Sequence, residues 1–454
     1  MSFASTVTSC SQKTSPYLTV LVVAALAVAC GQGSSKATSV QPYRDCPHPP
    51  AGFYGGCLRV PEDPSTPNSR TIPIAYRFAA TFDANKDTIV VVNGGPGGRW
   101  LEYATMFAPH QAALLRTHNL LFYDQRGTGE SAPLAGRDSL NFDGARYLTE
   151  AHVEDLQAIV SRVIAKPAII LGHSYGGHLA YAFATAHPES LKKLVILNGG
   201  ADARAFVVQQ KLKSDLILKG LQSVADSDRI DALNERLATG KEIRWKGEMI
   251  TLERFGWGLL SLMIKAADHS RIGTVVRALI DQNRSSIDEQ LAGQGKAPKP
   301  WIAQRPIDFD FPSELPLDPV ANRTLVCAKM LTEEAIAVAD EEFKSIAEQA
   351  RAALCQGTPA IPKAPAFDVK DQLTSIKVPV LLMGGQLDPL VPLFIQQRDY
   401  GLLAQGHAPV HFVTFIHAAH DPASESPACF QAALLEFLEA TNEPLAGNRT
   451  STCS

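Results

Sequence analysis

The sequence predicts an α/β fold, a mostly parallel sheet flanked by helices. Short continuous apolar runs recur along the chain, as expected of parallel strands that are covered on both faces. Residues 151–164 carry apolar side chains at a helical period between two of these runs. This alternation is typical of right-handed βαβ crossovers. The runs are residues 88–92 (TIVVV), 119–123 (NLLFY), 168–171 (AIIL), 194–197 (LVIL), 380–383 (VLLM) and 410–416 (VHFVTFI).

The pattern differs at the start and in the middle of the chain. Residues 59–82 alternate weakly between apolar and polar side chains, which predicts an antiparallel hairpin that opens the sheet. Between residues 201 and 367 the strand pattern disappears and helical periodicities replace it. We therefore expect residues 201–367 to form an inserted helical cap domain. The cap divides one α/β core into residues 51–200 and 368–454.

Composition excludes several classes of protein. The chain has 454 residues, with 42 Lys and Arg against 46 Asp and Glu, a net charge of -4. No excess of positive charge is present to neutralise a phosphate backbone, so we expect no nucleic-acid partner. Apolar residues make up 45% and charged residues 19%, which is typical of a globular protein with a large core.

The N-terminal residues predict export. Residues 16–29 form an apolar run that is too short to span a bilayer and has the length of a signal-peptide core. The run ends in small residues followed by Cys30, which resembles the lipobox of bacterial lipoproteins. We expect residues 1–29 to be a signal peptide and residues 30–50 to be a polar tether. The protein would then be a bacterial cell-envelope lipoprotein held to the membrane through a lipid on Cys30, or a secreted or periplasmic protein cleaved near Ala29.

Cysteine usage also fits an oxidising compartment. Six of the eight cysteines follow the signal region, and none has a metal-binding spacing. Six cysteines allow 15 sets of pairings. Proximity in the sequence favours Cys46 with Cys57, Cys327 with Cys355, and Cys429 with Cys453, and buried free thiols are the alternative.

Ser174 is the predicted nucleophile. It lies in GHSYGG (residues 172–177), a G-x-S-x-G motif that follows a predicted strand and precedes a helical pattern. Glycines at these positions permit the sharp strand-to-helix turn that projects a serine above a sheet, at the positive end of the helix dipole. In that context a Gly-rich turn with an incidental serine is the less favoured interpretation.

A serine hydroxyl needs a general base, and the base needs an orienting acid. Asp388 follows the strand at 380–383, and His420 follows the strand at 410–416, in the order Ser, Asp, His. Asp202, which follows the strand at 194–197, is the alternative acid. His417 is the alternative base.

Two backbone amides are predicted to bind the oxyanion. The first is that of Tyr175, directly after the nucleophile. The second is that of Gly95 in NGGPGG (residues 93–98), which follows the first parallel strand. This loop lacks the Gly-Lys-Ser/Thr of a phosphate-binding loop. The charged loop DQRGTGES (residues 124–131) is expected to be architectural.

Together, NGGPGG, DQRGTGES, GHSYGG, GGQLDPLVP (residues 384–392) and His420 resemble the α/β-hydrolase peptidases of the prolyl aminopeptidase and tripeptidyl aminopeptidase group. The resemblance covers residues 88–200 and 378–440. It implies the α/β-hydrolase fold, with a helical cap, and removal of an N-terminal residue or short peptide. Asn93 stands where prolyl aminopeptidases have His, and Tyr175 where Trp is common. These departures favour the exported, tripeptidyl-aminopeptidase-like branch.

The resemblance also implies a substrate with a free N-terminus, held by acidic residues of the cap or the mouth of the site. The candidates are Glu102, Glu242, Glu248 and Glu253. Trp245, Trp257 and Trp301 are either pocket-lining or core residues.

The sequence therefore predicts an exported serine exo-peptidase, an aminopeptidase that forms an acyl-enzyme on Ser174 with His420 as base and Asp388 as acid. It requires no metal and no organic cofactor. The alternative is an esterase or other carboxylic-ester hydrolase with the same triad. A non-catalytic binding protein that keeps the fold is the alternative from another class.

Overall fold

The structure is a computed structural model that describes residues 53–66, 68–101, 104, 112–134, 143–224, 226–312, 317–355, 368–440 and 448–453. The predicted signal peptide (1–29) and tether (30–50), including Cys30, lie outside the described residues. Within the described ranges, no helix combines the length and the apolar character needed to cross a bilayer.

The core is a twisted, mostly parallel sheet. Its strands are β1 (Tyr54–Pro61), β2 (Thr71–Phe78), β3 (Asp87–Val92), β4 (His118–Tyr123), β5 (Ala168–His173), β6 (Leu191–Leu197), β9 (Val380–Gly385), β10 (Val410–Phe415) and β11 (Arg449–Cys453), while β7 (Arg244–Trp245) and β8 (Glu248–Met249) form a separate hairpin. The order in the main sheet is β1-β2-β4-β3-β5-β6-β9-β10-β11. Strands β1 and β2 are antiparallel to each other, β2 is antiparallel to β4, and the remaining neighbours are parallel.

Each apolar run that the sequence assigns to a parallel strand coincides with one of these strands, except that the run at 410–416 extends one residue past β10. The antiparallel hairpin predicted at residues 59–82 is formed by β1 and β2, and it begins earlier, at Tyr54. One strand of the main sheet has no counterpart in the prediction. Strand β11 has the sequence RTSTC and pairs in parallel with β10, His411 opposite Arg449. Its side chains are mostly exposed at the edge of the sheet. A polar edge strand of this kind carries no apolar run by which it could be recognised.

Helices cover both faces of the sheet and form the cap. They are α1 (Ala112–Thr117), α2 (Thr149–Ile159), α3 (Tyr175–Ala186), α4 (Arg204–Gln222), α5 (Ser227–Ala238), α6 (Leu252–Ile264), α7 (Arg271–Gly293), α8 (Pro319–Leu325), α9 (Glu333–Ala337), α10 (Glu341–Cys355), α11 (Leu393–Gln405), α12 (Pro422–Glu425) and α13 (Pro427–Glu439). Two π-helical turns, Val160–Ile164 and Val326–Met330, continue α2 and α8. Short 3-10 turns occupy Gly144–Tyr147, Pro188–Ser190, Ala266–Asp268 and Lys370–Ser375.

Successive strand residues face two separate hydrophobic cores. Val90 and its equivalents on the neighbouring strands pack on one face of the sheet, against α2 and α3. Ile89 and its equivalents pack on the other face, against α13. Burying one such side chain contributes roughly 1.5–3 kcal/mol. Because both faces of the inner parallel strands are covered, these strands contain continuous apolar runs, and such runs can be recognised in the sequence.

The chain between β6 and β9 is mainly helical and has a hydrophobic core of its own. Side chains of α4 to α10, such as Phe255, Leu259, Val275 and Leu279, form this core. The segment also contains the β7–β8 hairpin, two residues in each strand, which the sequence pattern does not predict. The apolar side chains of residues 333–355 have a helical period that predicts one helix, and the structure divides this stretch into α9 and α10.

Two of the three proposed disulfides are present. Cys327 bonds to Cys355, and Cys429 bonds to Cys453. Cys57 is disulfide-bonded as well, and its proposed partner Cys46 lies outside the described residues. The second bond ties the polar strand β11 to the start of α13.

Candidate active site

Ser174 occupies a sharp turn between β5 and α3. Its backbone has φ 56° and ψ −123°, a conformation that L-residues rarely adopt and that is typical of a nucleophile elbow. Two glycines make the turn possible. A Cβ on Gly172 would lie 2.2 Å from the carbonyl oxygen of Gly176, and one on Gly176 would lie 2.0 Å from that of Val92. Larger residues at either position would push the helix away from the sheet.

Asp388 and His420 form a buried hydrogen-bonded pair. The distance from His420 Nδ1 to Asp388 Oδ2 is 2.7 Å. The other carboxylate oxygen of Asp388 accepts hydrogen bonds from the amides of Leu390 at 2.7 Å and Val391 at 3.0 Å. A carboxylate beside Nδ1 favours the tautomer with its proton on that nitrogen, so Nε2 is left to accept a proton. His420 and Ser174 line the same cavity.

The alternative acid and base lie elsewhere. Asp202 forms an ion pair with Arg398 at 2.7 Å and accepts a hydrogen bond from the amide of Arg204 at 3.0 Å. His417 is exposed on the turn after β10. The geometry therefore brings together Asp388 and His420 and leaves Asp202 and His417 out of the site.

The glycine-rich loop after β3 lies directly against the nucleophile. A Cβ on Gly94 would be 2.8 Å from the Cβ of Ser174, and Gly95 lines the cavity. Gln125 holds the loop by donating to the carbonyl of Asn93 at 2.8 Å. As the first residue of α3, Tyr175 has an amide without an intrahelical acceptor, while its side chain is buried away from the cavity. These two amides stay our prediction for the oxyanion site.

The Asp124 carboxylate anchors the loop at 124–131, because both of its oxygens accept hydrogen bonds from backbone amides. Asp124 accepts hydrogen bonds from the amides of Trp100 at 2.7 Å and Leu101 at 3.0 Å through one oxygen, and from that of Glu130 at 2.8 Å through the other. Burial raises the pKa of Asp124 to about 6. These contacts fit the architectural role expected of the loop.

The structure places two further residues near the site, Asn198 and His173, which the sequence analysis does not predict. Asn198 donates to Asp388 Oδ2 at 2.8 Å and to the carbonyl of Ala419 at 2.9 Å. His173 Nε2 lies 3.1 Å from the carbonyl oxygen of His420. Burial lowers the pKa of His173 to about 4, so the ring is neutral at pH 7 and donates one hydrogen bond here. His173 lies inside the G-x-S-x-G motif, but at a position where the motif allows any residue. Its place beside Ser174 is therefore the only feature of the sequence that could have pointed to it.

The cap is hydrogen-bonded to the loop that carries His420 and to the glycine-rich loop after β3. The amide of His420 donates to the carbonyl of Ile264 at the end of α6, at 2.9 Å. Asn322 of α8 donates to the carbonyl of Pro96 at 2.6 Å, and the amide of Asp318 donates to that of Gly97 at 2.8 Å. The position of the cap therefore influences both the base and the loop that carries Gly95.

Two cavities meet at Ser174. The larger has a volume of about 370 Å³ and a mostly apolar lining that includes Leu120, Phe122 and Phe430. The smaller has a volume of about 100 Å³ and lies between α4, α8 and α10. Ser174, Gly95, Trp257, Leu260, Leu317 and Leu390 line both.

The predicted acidic residues do not line either cavity, as far as the described residues extend. Glu242 pairs with Arg244, and Glu248 pairs with Arg254 at 3.0 Å. Glu253 is absent from both linings, and Glu102 lies outside the described residues. Asp421, next to His420, is the single acidic side chain among the described residues that line the larger cavity.

Of the three tryptophans considered, Trp257 lines the cavities, whereas Trp245 is buried in the cap core and Trp301 packs against that core. The part of the chain that the structure describes contains no group of three or more His, Cys, Asp or Glu side chains arranged to hold a metal ion.

Two family models match the chain. The first, described as "alpha/beta hydrolase fold", matches residues 87–239, which contain Gly95, Ser174 and Tyr175. The second, described as "TAP-like protein", matches residues 341–452, which contain Asp388 and His420. Together, the two matched ranges contain all five predicted catalytic residues.

Curated relatives match over part of their length. Proline iminopeptidase of Saccharolobus solfataricus is 29% identical over 174 residues, 36% of this chain and 52% of the relative. RutD of Caulobacter sp. strain K31, named as a carbamate hydrolase, is 32% identical over 136 residues, 29% of this chain and 44% of the relative. A 2-hydroxy-6-oxononadienedioate/2-hydroxy-6-oxononatrienedioate hydrolase of Paraburkholderia phymatum is 30% identical over 139 residues, 30% of this chain and 45% of the relative. The chain spans about half the length of these curated relatives.

Proposed function

We propose that this chain, which has the α/β-hydrolase fold predicted from its sequence, is a serine hydrolase that acts as an aminopeptidase. The observation that carries the proposal is the buried Asp388–His420 pair, with a hydrogen bond of 2.7 Å, on the cavity that Ser174 also lines. A neutral imidazole oriented by a carboxylate is the group that a serine nucleophile needs as its base.

The proposed reaction proceeds through an acyl-enzyme. The Ser174 hydroxyl attacks the carbonyl carbon of the substrate, and its proton passes to His420. His420 gives that proton to the leaving group as the tetrahedral intermediate collapses. Water, deprotonated by His420, then attacks the acyl-enzyme and releases the acid and the free serine. Asp388 stabilises the imidazolium, and the amides of Gly95 and Tyr175 bind the oxyanion.

Aminopeptidase activity is supported by sequence similarity. The match to the TAP-like protein model and the similarity to a proline iminopeptidase agree with the motifs quoted above. Export is part of the same proposal, since the apolar run at residues 16–29 and the disulfides Cys327–Cys355 and Cys429–Cys453 suit an oxidising compartment.

An esterase is the second candidate, and one observation favours it. The larger cavity is lined mainly by apolar side chains, and none of the glutamates Glu242, Glu248 and Glu253 reaches it. An ester substrate needs no partner for a free amine. The same triad would cleave it by the same steps.

Hydrolysis by the full chain separates these candidates. Prolyl, alanyl and tripeptidyl fluorogenic amides, their N-acetylated forms and a short-chain nitrophenyl ester would be assayed with wild type, Ser174→Ala and the control Ser161→Ala, an exposed helical serine. We expect cleavage of the free-amine amides, unchanged in Ser161→Ala and reduced roughly 10⁴-fold or more in Ser174→Ala.

A fluorophosphonate probe supplies an independent readout of the nucleophile. It should label the wild type and Ser161→Ala and leave Ser174→Ala unlabelled. Cleavage of the ester alone, with silent amides, would replace the aminopeptidase by the esterase. Labelling that survives in Ser174→Ala would contradict the assignment of the nucleophile.

A further inference from the structure

The proposed mechanism assigns no role to Lys213, although this residue lines a cavity together with Ser174. It is on α4, is 6% exposed, and lines the smaller cavity together with Ser174 and Gly95. No described side chain or carbonyl accepts a hydrogen bond from its ammonium group, and no described carboxylate forms an ion pair with it. The lining residues include no acid.

The other buried lysines of the described structure have partners. Lys193 donates to the carbonyls of Phe437, Leu438 and Ala440 at 2.8, 2.9 and 3.1 Å. Lys329 pairs with Glu150. Burying an ammonium group without such a partner is strongly unfavourable. Among the buried lysines of the described residues, Lys213 is therefore the exception.

Desolvation has a measurable consequence at this position. Burial lowers the pKa of Lys213 to about 7, so the amine is close to half protonated at neutral pH. An anion in the cavity would favour the protonated form, since an opposite charge nearby stabilises the ammonium. Apart from the Ser174 hydroxyl, the other polar side chains of the lining are the uncharged amides of Gln209, Gln210 and Asn322.

The lining also indicates which part of a substrate would enter. The smaller cavity contains Ser174 and Gly95 but not His420, which lines the larger cavity. His420 must reach the leaving group to protonate it, so the leaving group belongs on the side of the larger cavity. The smaller cavity is thus on the side of the acyl group.

We propose that the smaller cavity is an acyl-group pocket in which Lys213 binds a carboxylate of the substrate. The proposal deepens the proposed function and rests on it, because the acyl group is defined by attack of Ser174. A cavity of about 100 Å³ is large enough for a short carboxylate-bearing chain. Two sources share this chemistry, an acidic N-terminal residue of a peptide and the half-ester of a short dicarboxylic acid.

Matched substrates that differ in one charge test the pocket. The first pair is glutamyl and glutaminyl aminomethylcoumarin amide, and the second is the glutaryl and valeryl nitrophenyl ester. The full chain is assayed as wild type, Lys213→Met and Lys211→Met. Lys211 is the control because it lies on the same helix, partly exposed, and pairs with Asp215 at 2.6 Å.

We expect wild type and Lys211→Met to prefer the charged member of at least one pair by roughly 10- to 100-fold in kcat/KM, the range of a charge-assisted hydrogen bond. Lys213→Met should lose that preference, so that the ratio of its kcat/KM values on the two members falls to about 1. The pair that shows the effect identifies the source of the carboxylate. Equal rates on both members of both pairs in wild type, or a preference that survives in Lys213→Met, overturn the proposal.

A binding measurement distinguishes failure of the pocket from failure of the proposed function. Glutarate is titrated calorimetrically into the full chain carrying Ser174→Ala, with and without Lys213→Met. Binding that requires Lys213 supports the pocket even without turnover. Absence of glutarate binding, in a protein whose wild type is labelled by fluorophosphonate at Ser174, overturns the pocket and leaves the serine hydrolase intact.

Discussion

Asn198 connects the acid of the proposed triad to the loop that carries the base. Its amide group donates to Asp388 and to the carbonyl of Ala419, the residue before His420. Its oxygen accepts a hydrogen bond from the amide of Gly385 at 3.2 Å. Asn198 is fully buried and has φ 47°, in the left-handed region that Asn tolerates better than most residues. We therefore assign it as a positioning residue.

Asn198→Gly should lower kcat by about tenfold and change KM less than about twofold, because the acid and the base lose a shared anchor while the cavity keeps its lining. Glycine is chosen because it accepts a positive φ. Steady-state kinetics on the substrate cleaved best give the two constants.

His407→Gly is the matched control, since His407 is exposed and also has a positive φ, 63°. A general loss of stability would lower the active fraction in both variants. A rise in KM without a fall in kcat in Asn198→Gly would contradict the positioning role.

At the scale of elements, the junction of β3, β5 and α3 sets the height of the nucleophile. The helix starts immediately after Ser174, and Gly176 in its first turn lies against the carbonyl end of β3. Close approach of a helix backbone to a strand needs a residue without a Cβ. The glycines of GHSYGG are therefore explained by packing between elements as well as by the turn itself.

Gly176→Ala should lower the free energy of unfolding by about 1–3 kcal/mol, or prevent folding, because its Cβ would lie 2.0 Å from the carbonyl oxygen of Val92. Gly401→Ala is the control, because a Cβ at this exposed position of α11 meets nothing within 4 Å. That substitution should stabilise the helix by roughly 0.5–1 kcal/mol. Urea unfolding of the three proteins measures both effects, and equal stability of Gly176→Ala and wild type would contradict the packing.

At the scale of the whole molecule, the packing of α2 against the sheet buries His152 in its neutral form. Burial lowers the pKa of His152 to about 3, with a further contribution from the nearby Arg126 guanidinium. In the unfolded chain the histidine pKa is ~6.5. Between about pH 3 and about pH 6.5 the unfolded state therefore binds more protons at this residue, and its contribution to stability falls as the pH decreases through that range.

The free energy of unfolding of the wild type should fall when the pH is lowered from about 7.5 to about 5. In His152→Gln that fall should be about 2 kcal/mol smaller, because the histidine that takes up a proton on unfolding is gone. The two proteins share all other titrating groups, so the contributions of those groups to the pH dependence cancel when the two free energies of unfolding are subtracted. His407→Gln, at an exposed histidine, should follow the wild type. Parallel pH curves for His152→Gln and wild type would show that folding does not change the pKa of His152.

The sequence by itself determined the features that depend on local chemistry. Strands buried on both faces must be continuously apolar, and a tight elbow must contain glycine, so the parallel strands and the motif around Ser174 could be located without coordinates. The same holds for Asp388 and His420 as residues that follow strands. The polar strand β11 could not be found this way, because its place in the sheet comes from pairing with β10.

Only the tertiary structure decided which side chains meet. Asn198 bonds to Asp388 across 190 residues of sequence, and His173 bonds to the carbonyl of His420 across 247. The choice of Asp388 over Asp202 also depends on such contacts, as does the exclusion of the three cap glutamates from the cavities. The burial of Lys213 in a cavity without a described partner could be recognised only from the packing of the cap helices. The reason is physical: local sequence sets the conformation of a segment, whereas burial, charge pairing and the shape of a cavity arise from segments far apart in the chain.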